Sequence, residues 1–241
     1  MQTVPAKGGV MLQMPLFKPR RVKKSPALDV HAVSLPATAF TGDFYFTHRY
    51  QDRLWFALGD VAGHGLSAAV VMAMIQEELE HRIISCAVTQ CDPAATMARL
   101  HEFLRPIVPR NRFATAVIGH LADDGTLRIV NAGHCPPLVM RADGRIESIA
   151  SSGPVVGMLS ESRWTSHTTR LETGEMLILY SDGLIEARSS SGEEFGIDRL
   201  EAVLRTQPRA SARQTAEAVL AAVERHVASR EDDLTLVVVR R

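Results

Sequence analysis

The sequence lacks several features that would place it quickly in a functional class. Its 241 residues carry 27 basic and 27 acidic side chains, so the formal net charge is zero, whereas nucleic-acid-binding proteins usually have a basic excess. No apolar run reaches the roughly 18 residues that span a bilayer. The start, MQTVPAKGGVMLQMP, has no long apolar core of the kind found in signal peptides. These absences argue against nucleic-acid partners, stable membrane insertion and secretion.

Cysteine is also scarce. The three cysteines, Cys86, Cys91 and Cys135, are odd in number and have no paired zinc-type spacing. We therefore expect a reduced, cytoplasmic protein whose thiols fill the core. The sequence has no internal repeat and no low-complexity region, and its 46% of hydrophobic residues is enough to bury a sizeable core.

The first 28 residues differ from the rest of the chain. They contain four prolines and six basic residues but no acidic residue. Charged, proline-containing termini are usually solvated. The composition predicts a basic, flexible leader over residues 1–28 and one folded domain over residues 29–241.

From Asp29 onward the hydrophobic pattern is that of a globular domain. Strand patterns occur at 29–35, 43–50 and 53–60, and in FATAVIGHLA, TLRIVNAG, PLVMRA, HTTRLE, MLILYSDG and LTLVVV. Helical patterns follow Gly65 and Asp92-Pro93 and cover about 198–206 and 211–228, with Asp92 and Ser211 as expected caps. Gln51-Asp52 indicates a hairpin between the second and third strands. Turn dipeptides separate the middle strands, which are expected to form one antiparallel meander. The whole predicts an α+β fold with two packed antiparallel β-sheets flanked by α-helices.

Aspartates stand beside apolar strands at four places in the chain. Asp43 opens DFYF, Asp60 closes LWFALGD, Asp182 closes LILYSD, and Asp232 and Asp233 precede LTLVVV. If these strands are neighbours, the carboxylates meet at one rim, where they repel one another and raise one another's pKa. Mg²⁺ and Mn²⁺ prefer such oxygen ligands, and a pair of ions can hold a phosphoryl group and activate water. A single strand-end aspartate is more often a turn or cap residue, so the metal hypothesis depends on the whole set.

Five blocks carry a resemblance to a known family. TGDFYF, GDVAGHGLSAA, NAGHCPPLV, LILYSDGLIEA and DDLTLVVVR occur in the order found in metal-dependent serine/threonine protein phosphatases of type 2C, and resemble their bacterial SpoIIE-like sporulation and stress-response branch. The resemblance covers nearly the whole chain, from about residue 28 to residue 241. It implies a sandwich of two sheets between helix pairs, two Mn²⁺ or Mg²⁺ ions as cofactors, and direct attack of a metal-activated water on phosphorus.

The resemblance assigns roles to particular residues by position. It implies that the metal ligands and catalytic residues are Asp43, Asp60, Asp182 and Asp232, with the backbone carbonyl of Val61 as a further ligand. Asp60 matches the bridging ligand. Asp233 is a second choice, since relatives often have Asn or Asp at its position.

Supporting groups are expected around these ligands at Gly63, His64 and Gly183. His64 and His134 both lie in glycine-containing turns, but zinc needs three or four ligands, so we favour hydrogen-bonding roles near the carboxylates over direct ligation. The first block departs from the family pattern, because Thr41 stands where a glycine is usual. Larger members grip phosphate with an arginine near their N-terminus, and this sequence shows no equivalent that we can place.

A rival chemistry is suggested by Cys135 and Arg141, which have the C-x5-R spacing of cysteine-dependent phosphatases. That mechanism needs backbone N–H groups around the phosphate and a stabilised thiolate. Pro136 and Pro137 remove two of those donors. We therefore do not expect a cysteine mechanism.

The predicted function is hydrolysis of phosphoserine or phosphothreonine on a regulatory protein, such as an anti-sigma-factor antagonist in a partner-switching pathway. The substrate rests on analogy alone. The alternative is a catalytically silent module of the same fold that binds a phosphoprotein. Retention of all four acidic residues favours the enzyme. A separate sensor or activator protein and a homodimeric state are further expectations of this branch.

Overall fold

Ten strands and five helices are formed by the part of the chain that the computed structural model describes, residues 28–38, 41–63, 65–89, 92–108 and 112–241, with backbone only over 86–89. The strands form two five-stranded sheets in which all neighbours are antiparallel. In spatial order, the first sheet contains β1 (Asp29–Leu35), β10 (Leu234–Arg240), β9 (Met176–Tyr180), β6 (Leu138–Met140) and β7 (Ile146–Ser148). The second contains β2 (Asp43–Tyr50), β3 (Arg53–Val61), β4 (Ala114–Ala122), β5 (Thr126–Ala132) and β8 (His167–Arg170).

The sheets pack face to face, and the central strands are buried on both sides. In β3, Leu54, Phe56 and Leu58 face the other sheet, where they meet residues such as Leu179 and Val237. Ala57 belongs to the core on the opposite face of its sheet. Burial on both faces explains why this strand is a continuous apolar run, and each fully buried large side chain contributes about 1.5–3 kcal/mol.

Helices cover the two outer faces of the sandwich. The second sheet is covered by α1 (Leu66–Thr89) and α2 (Pro93–Leu104), and the first by α3 (Asp182–Ile185), α4 (Gly196–Arg205) and α5 (Ala212–His226). The caps are those that the sequence predicts. The Asp92 carboxylate accepts a hydrogen bond from Ala94 N at 2.9 Å, and Ser211 forms a reciprocal capping box with Gln214.

The predicted α+β sandwich is confirmed, but the single meander is wrong. After β5 the chain leaves the second sheet, and β6 pairs with β7 and β9 in the first sheet. The neighbour of β5 is β8. Residues Gly133 to Pro137 carry the chain between the sheets. Val130 and Ala132 of β5 belong to the core beside α1 and α2, whereas Leu138 and Met140 of β6 belong to the core beside α4 and α5.

The N-terminal region and the helices bear on two further expectations. The expected leader lies outside the described residues up to position 27, and Leu28 is buried in the core between the sheets. Among the described helices, none is long and apolar enough to cross a bilayer.

Candidate active site

One rim of the sandwich collects the four predicted aspartates from both sheets. Asp43 is the first residue of β2, and its partner across the strand pair is Asp60, near the end of β3. Asp182 follows β9 and opens α3, and Asp232 lies just before β10. Since β9 and β10 are antiparallel neighbours, the end of one and the start of the other lie at the same edge. We call Asp43, Asp60, Asp182 and Asp232 the carboxylate rim.

Two glycines allow the backbone to come close enough to form this rim. A Cβ added at Gly42 would lie 2.8 Å from Oδ1 of Asp60 and 3.2 Å from the carbonyl oxygen of Val61. A Cβ at Gly183 would lie 2.2 Å from the carbonyl oxygen of Asp233 and 3.2 Å from Cβ of Asp232. Only glycine leaves room for these approaches.

Asp43 is buried and connects the two sheets. Its Oδ2 accepts a hydrogen bond from Thr235 Oγ1 of β10 at 2.6 Å. Burial raises the pKa of Asp43 to about 8; the hydrogen bond from Thr235 opposes this rise, and the charges of Asp60 and Asp233 add to it. The carboxyl group is therefore costly to ionise without a compensating positive charge.

Asp60 is surrounded by other acids of the rim. Burial raises its pKa to about 7, with further contributions from Asp182, Asp232 and Asp233. The pKa of Asp232 is also raised, first by burial and then by Asp182 and Asp233. Within the described parts of the chain, none of the four rim aspartates forms a salt bridge. Their repulsion is thus not neutralised by a described basic side chain.

The residues present fit a hard divalent cation. No group of three or more Asp, Glu, His or Cys side chains among the described residues is already arranged as a ligand shell. The donor set, however, consists of carboxylate oxygens and the Val61 carbonyl, which Mg²⁺ and Mn²⁺ prefer. The Gly42 backbone lies against two of these oxygens, and a dication at the rim would offset the repulsion that raises the pKa values.

Asp233 has a different environment from Asp232. Its two carboxylate oxygens accept hydrogen bonds from Ala37 N at 2.8 Å and Gly42 N at 2.9 Å. Among the described residues, Asp232 Oδ1 accepts a hydrogen bond from the adjacent Asp233 N alone, at 2.8 Å. Asp233 therefore anchors the segment that leads into β2, and Asp232 has more free acceptor capacity.

The residues expected to support the metal ligands are only partly covered by the structure. Gly63 has a φ of +97°, in the left-handed region that favours glycine, while His64 lies outside the described residues. His134 Nδ1 lies 2.8 Å from the hydroxyl of Thr115, which is the strand partner of Asp60. Burial lowers the pKa of His134 to about 4, so it is a neutral hydrogen-bonding group behind the rim.

Cys135 and Arg141 do not form a phosphate-binding loop. Burial raises the pKa of the Cys135 thiol to about 12, and Asp182 and Glu186 add to the rise. The Arg141 guanidinium donates to Glu147 and Glu175. Because the thiolate is strongly disfavoured and the arginine is engaged elsewhere, a cysteine mechanism has no structural basis here.

Sequence reasoning missed Arg112, which lies beside the rim. Its guanidinium donates to the Ala62 carbonyl at 2.7 Å and to Ser67 Oγ at 2.8 Å. The register of β3 and β4, in which Val61 pairs with Ala114, places residues 112 and 113 opposite the turn after Val61. Because α1 and α2 separate β3 from β4 in the chain, no local sequence pattern pointed to this neighbour.

Comparison with known proteins identifies the family to which the chain belongs. The family model described as Stage II sporulation protein E (SpoIIE) matches residues 50–241. Protein IcfG from Synechocystis is 29% identical over 196 residues, covering 71% of this chain and 31% of that protein. The phosphoserine phosphatase RsbU from Bacillus subtilis is 28% identical over 174 residues, covering 71% of this chain and 51% of RsbU. The chain thus spans only 31% of the length of IcfG and 51% of the length of RsbU.

Solved structures share the fold. A structure of the type 2C phosphatase domain of SpoIIE from Bacillus subtilis, with a fragment of its regulatory domain, superimposes with a TM-score of 0.78 at 20% identity, covering 90% of this chain and 64% of that one. RsbX in complex with magnesium superimposes with a TM-score of 0.68 at 18% identity, covering 91% of this chain and 98% of RsbX. These likenesses confirm the fold that the five sequence blocks predicted.

Proposed function

Because the chain belongs to the SpoIIE family of type 2C protein phosphatases, we propose that it is a Mn²⁺- or Mg²⁺-dependent phosphatase that hydrolyses phosphoserine or phosphothreonine on a regulatory protein. The observation that carries this proposal is the carboxylate rim, where four aspartates from two sheets face one another without a described basic partner. Structural aspartates are normally paired or placed in turns, so such a set is typical of a functional site.

Each residue of the site has a proposed role. The ions would be held by the carboxylates of Asp43, Asp60, Asp182 and Asp232 and by the carbonyl of Val61, with Asp60 as the principal ligand. When bound, such ions supply Lewis-acid stabilisation of phosphoryl oxygens and lower the pKa of water. Thr235 orients Asp43 through its hydrogen bond, and Asp233 fixes the backbone of Gly42.

The identity of the phosphorylated substrate is a more specific part of the proposal. RsbU is a phosphoserine phosphatase, which supports phosphoserine as the substrate group. We extend this to a phosphorylated anti-sigma-factor antagonist in a partner-switching pathway of the cytoplasm. A separate sensor or activator protein and a homodimer are proposed as partners on the same analogy.

The test is turnover of phosphopeptides by the purified chain. Phosphate release is measured from phosphoserine, phosphothreonine and phosphotyrosine peptides, with Mn²⁺, with Mg²⁺ and with a chelator. We expect hydrolysis of the first two peptides that requires the metal and is lost with the chelator. A folded protein without metal-dependent turnover would contradict the proposal. If such a protein still bound the phosphoserine peptide, the silent binding module would be the correct interpretation.

A further inference from the structure

Arg112 makes two directed contacts to the segment that follows the metal-ligand residues. It precedes β4 by two positions, and its guanidinium spans the start of α1. Nη1 donates to the Ala62 carbonyl at 2.7 Å and Nη2 donates to the Ser67 hydroxyl at 2.8 Å. One side chain therefore connects the turn after Val61 to the first turn of α1.

Gly63 packs directly against this guanidinium. A Cβ at Gly63 would lie 2.2 Å from Nη1 of Arg112. The backbone of the same turn is held from two sides, because Val61 N donates to the Gly42 carbonyl at 3.3 Å and Ala62 N donates to the Phe113 carbonyl at 2.9 Å. The carbonyl of Ala62 is in turn satisfied by the arginine.

Charge pairing does not explain why a basic residue occupies this place. Helix α1 has no acidic residue in its first turn, and the N-terminal end of a helix disfavours a positive charge. In the described parts of the chain Arg112 forms no salt bridge. Arg112 instead donates to two neutral oxygen acceptors in a fixed geometry, which suits the rigid fork of a guanidinium.

We propose that Arg112 is a positioning residue that holds the Val61–Gly63 turn so that the Val61 carbonyl and the Asp60 carboxylate face the carboxylate rim. It acts through these ligands and ties their turn to α1. This inference rests on the proposed metal-dependent function, in which the orientation of the Val61 carbonyl determines how well the ion binds. Groups that orient metal ligands typically affect metal affinity by about 10–100-fold.

The test combines two measurements on the full chain. Mn²⁺ affinity is measured by titration calorimetry, and amide hydrogen exchange of the metal-free protein is followed over residues 61–68. The variants are Arg112→Ala, Arg112→Lys and Ser67→Ala, with Arg145→Ala as the matched control, because Arg145 is an exposed arginine of the distant β6–β7 hairpin.

We expect Arg112→Ala to weaken Mn²⁺ binding about 10–100-fold and to speed exchange over 61–68, with little change in melting temperature. Arg112→Lys should lie between it and the wild type, because an ammonium group cannot reproduce the fork. Ser67→Ala, which keeps the Ala62 contact, should lose only a few-fold in affinity by the same reasoning, and Arg145→Ala should match the wild type.

Affinity and exchange in Arg112→Ala that equal those of the wild type would overturn the inference. Should that variant fail to fold, Arg112→Lys decides, since unchanged affinity in it has the same meaning. If the wild type binds no Mn²⁺ and has no turnover, the proposed function fails. Faster exchange over 61–68 in Arg112→Ala would then still support the anchoring of the turn, and unchanged exchange would reject that as well.

Discussion

The two ends of the β-sandwich differ in whether their charged side chains form ion pairs. At the carboxylate rim, four aspartates approach one another and none has a salt-bridge partner among the described residues. At the opposite end, which we call the arginine rim, acids and arginines alternate. Its pairs are Arg49 with Asp123, Arg141 with Glu147 and Glu175, and Arg170 and Arg241 with Glu172.

The same strands connect these two ends, so the difference is not one of fold. β3 begins at Arg53 beside the arginine rim and reaches the carboxylate rim at Asp60, one residue before its end. At an effective dielectric constant of about 20, two like charges about 4 Å apart repel by about 4 kcal/mol. A cluster of like charges without ionic partners is typical of a functional site, so we propose a functional role for the carboxylate rim and a structural role for the arginine rim.

The largest expected effect comes from removing one charge of the carboxylate rim. Asp60→Asn should lower kcat/KM on a phosphoserine peptide by more than the roughly 100-fold typical of groups that only orient ligands. Its stability should be equal to or above that of the wild type, because a clustered like charge is removed. The measurements are peptide kinetics with Mn²⁺ and urea unfolding.

The matched control for this variant is Asp52→Asn, an exposed aspartate at the other end of the same hairpin. It should leave both kinetics and stability unchanged. Near-normal turnover in Asp60→Asn would show that Asp60 is not the main metal ligand, and would contradict the proposed difference between the two ends.

A second variant disturbs the rim without changing its charge. Gly42→Ala introduces a Cβ against Asp60 Oδ1 and the Val61 carbonyl, so it should reduce Mn²⁺ affinity and turnover by about 10–100-fold. Gly144→Ala, in an open hairpin where a Cβ meets nothing within 4 Å, serves as control and should affect only stability. Equal kinetics in the two variants would show that the close approach at Gly42 has no functional role.

At the arginine rim the effect should be on stability instead. Arg141→Ala leaves the buried Glu175 carboxylate without its guanidinium, although Glu172 N still donates to it. We expect a loss of about 1–2 kcal/mol in the free energy of unfolding, with unchanged kcat/KM. Arg145→Ala, with an exposed side chain, should be neutral in both. A large activity loss in Arg141→Ala would contradict the division of roles.

The smallest effect is a pH dependence on the face beside the arginine rim. Burial lowers the pKa of His120 to about 4, aided by Arg53 and Arg128 and opposed by Asp92 and Asp52. The unfolded chain therefore binds a proton near pH 6.5 that the folded chain takes up only near pH 4. Stability contributed by His120 is thus lost as the pH falls through this window.

The rim aspartates have the opposite sign. The pKa values of Asp43 and Asp60 are raised by burial to about 8 and about 7, so their contribution to stability grows as the pH falls. Since His120→Gln removes only the contribution that is lost in acid, its urea midpoint should rise more, or fall less, than that of wild type as the pH is lowered from 7 to 4.5. The difference in slope should be up to about one proton. The exposed His167→Gln is the control, and identical slopes in all three proteins would refute the assignment.

Local features of the fold could be predicted from sequence because they depend on neighbouring residues. Asp92 caps α2 and Ser211 caps α5 as predicted, and the hairpin between β2 and β3 lies where Gln51 and Asp52 indicated. The passage from β5 to β6 could not be predicted in this way. Whether a turn joins two strands of one sheet or crosses to another depends on strands far away in sequence, such as β8 and β9.

The candidate site could likewise be predicted only where the signal is local in the sequence. Strand-end aspartates could be recognised as a set, yet the hydrogen bonds that occupy Asp233 are visible only once Ala37 and Gly42 are placed beside it. Asp182 opens a helical turn instead of closing a strand. Arg112 carries no local signal at all, because its partners lie some fifty residues earlier in the chain.

The location of bound ions tests the central claim most directly. Crystals of the protein soaked in Mn²⁺ would be measured at the manganese absorption edge, so that anomalous scattering identifies the metal. We predict peaks between Asp60, the Val61 carbonyl and the other carboxylates of the rim. Manganese bound elsewhere, with none in contact with Asp43, Asp60, Asp182 or Asp232, would contradict the account.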